Sequence, residues 1–61
     1  MGNGAAFEHG ERVTEAVGIV RLQTACTMEE AFVLMHERAQ MSGVTMEDIV
    51  DAVLDHSLHF G

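Results

Sequence analysis

Four groups of side chains in this sequence have types and spacings that could support chemistry. His56 and His59 lie three apart, with Asp51 and Asp55 about one helical turn from one or both, a spacing that can chelate Zn²⁺ or Ni²⁺. The same histidines also suit a solvated helix terminus, where imidazolium complements the negative end of the dipole. His9 and His36 have no ligand partner at a diagnostic spacing. Cys26 paired with a histidine would make a nucleophile, but that chemistry needs an orienting third group and a cleft that excludes water. A helix N-terminus can lower a thiol pKa and support a redox role, whereas a small half-buried thiol is the simpler reading. The acidic pairs Glu29-Glu30 and Glu47-Asp48 could exchange protons, yet their place at the start of helices accounts for them without catalysis. No catalytic residue, metal ligand set or cofactor is therefore assigned.

The fourth group is cationic. Arg12, Arg21 and Arg38 are the only basic residues besides histidine, against ten Asp plus Glu, and the formal charge is −7. Such a surface repels phosphate backbones in bulk, so a polyanion would have to be met by those three guanidinium groups. A single cysteine makes no intrachain disulfide, which points to an intracellular compartment and here to the cytoplasm. The apolar runs Ala16 to Val20 and Ala31 to Met35 are far shorter than the roughly 20 residues of a membrane span. Residues 1–10 lack the basic and apolar regions of a signal peptide.

These groups need elements to position them. Sixty-one residues, 48% of them hydrophobic, make one small domain. Gly2, Gly4 and Gly10 mark residues 1–10 as a flexible tail, and the domain follows over 11–61. Val13, Ala16, Val17, Val20 and Thr24 recur at helical spacing, with Ile19 and Leu22 widening the stripe, and predict a helix over 11–24. Thr27-Met28-Glu29-Glu30 is a capping box, which opens a second helix at 28–41 with Met28, Ala31, Phe32, Met35 and Ala39 as its stripe. Gly43 can take the left-handed conformation that stops it. Thr45-Met46-Glu47-Asp48 repeats the cap, and Met46, Ile49, Val50, Val53 and Leu54 carry a third helix over 45–58. The fold expected is an all-α three-helix bundle. Gly18, costly inside a helix, suggests a close helix crossing.

A single core of this size supplies about 3–5 kcal/mol, so a homo-oligomer is expected as a supplement. Leu22, Val33 and Val44 fall off the main stripes and are the candidate residues of a second, intermolecular apolar surface. Met28, Met35 and Met46 read as core filler, with an adaptable binding face as the alternative.

Four ordered segments carry a resemblance: Glu15-Ala16-Val17-Gly18-Ile19-Val20, Ala25-Cys26-Thr27, Glu30-Ala31-Phe32-Val33-Leu34 and Asp48-Ile49-Val50. Together they resemble the ANTAR domain, whose pattern runs Q-A-K-G-I-L-M, G-C-S, E-A-F-x-L-L-R and L-x-D-V-A, and they cover Val13 to Leu54 without a gap. The resemblance implies a bacterial regulatory three-helix module that binds paired RNA hairpins and prevents transcription termination. It also implies attachment to, or cooperation with, a sensor or receiver protein. Ala16, Gly18, Ile19, Cys26, Thr27, Glu30, Ala31, Phe32, Leu34, Ala39 and Ile49 match the pattern. Val17 stands for its lysine, Gln23 for a helix-one arginine, His36 and Glu37 for a basic pair, and Gly43-Val44-Thr45 for an Asn with basic followers.

Two functions follow. One is RNA-binding antitermination, with Arg12, Arg21 and Arg38 as the RNA-contacting residues. The other is a degenerate module of the same fold that has lost RNA contact and serves protein interaction or homodimerisation. Neither is an enzyme, and neither involves a membrane.

Overall fold

A computed structural model describes the backbone of residues 3–61 and the side chains of residues 10–61. The tail expected at residues 1–10 lies outside the described side chains, apart from Gly10. Three α-helices and no strand occur among the described residues: α1 (Asn3–Thr24), α2 (Met28–Ser42) and α3 (Met46–Leu54). Each helix packs against both others, as the all-α three-helix bundle requires. Helix α1 starts earlier than the expected position 11. Ala5 and Ala6 are strong helix formers, and an isolated glycine costs only about 1 kcal/mol, so Gly4 and Gly10 do not break it.

Both capping boxes form. The Thr27 hydroxyl accepts from Glu30 N–H at 3.1 Å while Glu30 Oε1 accepts from Thr27 N–H at 3.0 Å. Thr45 and Asp48 do the same at 3.1 and 3.2 Å. Helix α2 stops where Gly43 turns left-handed (φ 70°), and Val44 N–H reaches back to Ala39 C=O at 3.0 Å. Ala25 turns the same way at the end of α1 (φ 55°), at the position where the ANTAR pattern has glycine.

Ala16, Val17 and Val20 of α1 meet Ala31, Met35 and Ala39 of α2 and Ile49, Val50 and Val53 of α3 in one core. Met35 is its largest fully buried side chain, and Met46 packs at its edge, as expected of core filler. Met28 and Phe32 correct the expected stripe, being 40% and 45% exposed. Phe32 lies about 60° from Met35 round the helix, at the edge of the seam and near the start of α2, so its ring is only partly covered. Gly18 is also corrected. A Cβ built there meets nothing within 4 Å, so no helix crosses closely at that point.

Helix α3 ends at Leu54, not at 58. His56 takes a left-handed backbone (φ 65°), Ser57 N–H bonds Ala52 C=O at 3.0 Å, and the chain turns back so that Phe60 enters the core. Burying a phenyl ring is worth about 1.5–3 kcal/mol, which outweighs one further turn made of His and Ser.

Candidate nucleic-acid interface

The three arginines occupy three different surroundings. Arg12, in α1, donates to the Asp51 carboxylate of α3 in an ion pair that stays about half exposed. That hydrogen bond, and then the carboxylate charge, hold the Arg12 proton more tightly than usual. Arg38, in α2, lies with its guanidinium carbon 5.1 Å from the centre of the Phe60 ring. Arg21 is exposed near the end of α1 and makes no ion pair among the described residues. Nine residues separate Arg12 from Arg21, which puts them about half a turn apart on the helix. The bundle thus holds Arg12 against α3, turns Arg21 to the opposite side of α1, and seats Arg38 beside the returning C-terminal segment.

Phe60 is the neighbour of Arg38, Gln23 holds the Phe60 backbone, and sequence reasoning did not place Phe60 at all. The Gln23 side-chain oxygen accepts from Phe60 N–H at 3.0 Å. Gly61 follows with its α-carbon against the Gln23 carbonyl, so close that a Cβ would stand 2.7 Å from that oxygen. Phe60 lies beyond every periodic stripe. Its one signal is a large aromatic side chain in a chain with few of them.

The candidate apolar residues Leu22, Val33 and Val44 are exposed, each on a different part of the chain. Leu22, near the end of α1, is 81% exposed, Val33 sits on the outward side of α2, and Val44 lies in the α2–α3 turn. Met41, 84% exposed near the end of α2, joins them. Beside Val33 is a shallow depression of about 620 Å³ lined by Cys26, Glu29, Glu30, Val33 and Leu34. Cys26 is half-buried, packs at the edge of the core, and lies 2.9 Å from the Thr24 hydroxyl. Its setting is that of a small packed thiol.

His56 and His59 stay exposed on the returning segment rather than on a helix. Asp55 accepts from Ser57 N–H at 2.9 Å, and its carboxyl is held below the usual carboxylate value, first by the Ser57 hydroxyl and then by that N–H. Among the described residues no three His, Cys, Asp or Glu side chains are grouped to hold a metal ion, and no helix is long and apolar enough to cross a membrane.

The family model of the ANTAR domain matches residues 4–54. No curated protein and no solved structure matches the chain.

Proposed function

This chain belongs to the ANTAR domain family, and from that premise we propose that it is an RNA-binding regulatory module of the transcription antitermination class. The observation that carries the reading is the span of the match, which takes in all but the first residue of α1, the whole of α2, and α3 to its last residue. The family is one of regulatory RNA-binding modules, not of enzymes, and it acts where transcripts are made, hence in the cytoplasm.

RNA contact in this chain falls to Arg12, Arg21 and Arg38. Arg21 reaches phosphate directly. An exposed ion pair exchanges partners readily, so Arg12 can leave Asp51 for a phosphate oxygen. Arg38 stacks on the Phe60 ring with one face, and an unpaired base can stack on the other face of its guanidinium. With so few cations the electrostatic share of the affinity is small. A titration against a paired-hairpin leader RNA at low and high salt tests this. Two phosphate contacts, from Arg12 and Arg21, give a log–log salt slope of about −1.5 to −2, and Arg21→Ala makes it shallower by about one contact. Absence of binding at low salt overturns the reading.

One observation favours the second reading, a module that has exchanged RNA contact for protein contact. The outward side of α2 exposes Val33 and Met41 next to carboxylates, where a phosphate backbone would be repelled. On that reading a sensor or receiver protein, or a second copy of the chain, is the partner.

A further inference from the structure

Glu30, Val33, Leu34, Glu37 and Met41 recur at three- and four-residue intervals along α2 and so share one face. Ala31, Met35 and Ala39 define the opposite, buried side. The outward face is therefore an apolar stripe with acids set into it, and the depression between Cys26, Glu29, Glu30, Val33 and Leu34 opens onto its first two turns. Val33 is 49% exposed and Met41 84%, while Leu34 and Cys26 form the partly buried floor.

The acids on this face are not all explained by the helix. Glu29 and Glu30 sit in the first turn, where the dipole favours them, and Glu30 also closes the cap at Thr27. Glu37 lies two turns further on, beyond the reach of that dipole. Among the described residues none of the three is in an ion pair, and the nearest arginine in sequence, Arg38, is turned onto Phe60.

We propose that the outward face of α2 docks a basic amphipathic helix of a partner protein. Apolar side chains of that helix would seat on Val33, Leu34 and Met41, and its Lys or Arg side chains would pair with Glu29, Glu30 and Glu37. Charge complementarity decides the occupant. A second copy of this chain would bring the same acids against themselves at a formal charge of −7 per chain, and an RNA would bring phosphates. Only a cationic, apolar-faced segment satisfies both the stripe and the acids. The proposal does not depend on RNA binding, which uses the arginines on other faces.

The test uses the full chain and a synthetic amphipathic peptide of about 18 residues with leucines at helical spacing and lysines between them, beside a scrambled peptide of the same composition. The ordered peptide binds about tenfold more tightly than the scrambled one, and its amide shift changes concentrate in residues 26–41. Glu37→Lys weakens binding about tenfold, Val33→Asp does the same, and Glu15→Lys, with the same charge change on α1, has little effect. All three variant sites are exposed, and circular dichroism checks that the helices persist. Equal binding of the scrambled peptide, an equal loss from Glu15→Lys, or shift changes on another face overturns the proposal. So does self-association in sedimentation equilibrium that Val33→Asp abolishes, since the occupant is then a second copy.

Discussion

Helices α2 and α3 begin alike and end differently. Each starts with a threonine cap and an acid three residues on, and all four reciprocal hydrogen bonds are present. Each ends with a left-handed residue and an amide bonded back five residues, Val44 to Ala39 in one case and Ser57 to Ala52 in the other. In α2 that residue is Gly43, which adopts φ 70° without strain; in α3 it is His56, at φ 65°. A side chain in the left-handed region costs about 1–2 kcal/mol. Burial of Phe60, worth about 1.5–3 kcal/mol, offsets it. The end of α2 is thus written locally, whereas the end of α3 is imposed by a residue four positions further along.

Removing that ring should have the largest effect. Truncating a buried phenylalanine costs about 3–5 kcal/mol, as much as a core of this size supplies. Phe60→Ala is therefore expected to leave the chain substantially unfolded at room temperature by circular dichroism, while Phe60→Leu stays folded with a lowered Tm. If Phe60→Ala unfolds with an unchanged midpoint, the end of α3 is local after all and the contrast with α2 disappears.

The shared beginnings predict equal losses. Thr27→Ala and Thr45→Ala each remove a cap worth about 1 kcal/mol, measured by urea denaturation. A much larger loss at Thr45 would mean that the shorter α3, nine residues against fifteen, depends more heavily on its start.

At the left-handed residues the effects are no larger, and their sign depends on whether glycine is removed or introduced. Gly43→Ala should destabilise by about 1 kcal/mol. His56→Gly and Ala25→Gly should each stabilise by about 0.5 kcal/mol, because relief of the strained backbone is partly cancelled by the greater freedom of glycine in the unfolded chain. Destabilisation by His56→Gly would show that the imidazole itself holds the turn.

These differences mark what could be read from the sequence. The caps at Thr27 and Thr45 and the stop at Gly43 depend on residues within one turn, so the bounds of α2 were legible almost to the residue. Met35 and Ala39 fell on a stripe and are buried. The extension to 58 failed because His56 carries no local stop signal, and the burial of Phe60 is a tertiary event that helical spacing does not encode. Gly18 misled because a glycine facing open space looks the same in sequence as one at a crossing. For the arginines a signal was present: the nine-residue separation of Arg12 and Arg21 already sets them on opposite sides of one helix. The position of Arg38 beside Phe60 was not legible, since it depends on the returning segment.

The smallest effect expected is on pH dependence, and it too lies at the end of α3. Asp55 is held below its ordinary value of 3.8, chiefly by the Ser57 hydroxyl and then by Ser57 N–H, with a smaller contribution from His56 and a small opposing one from burial. A carboxyl depressed in the folded state stabilises the fold above its unfolded value and ceases to do so as pH falls through its folded value. The increment from Asp55 should therefore be complete above about pH 4 and disappear below it. Other carboxylates titrate in the same range, so the comparison is between the parent chain and Asp55→Ala, each denatured with urea from pH 6 down to about pH 2.5. The gap between the two curves should narrow as pH drops, and the Ser57 amide resonance should move in the parent over the same interval. Gly43, at the matching end of α2, has no such carboxylate and its amide should not move. A gap that stays constant with pH would mean that Asp55 holds the turn by geometry alone, leaving the return of Phe60 to the core as the sole cause of the difference between the two helix ends.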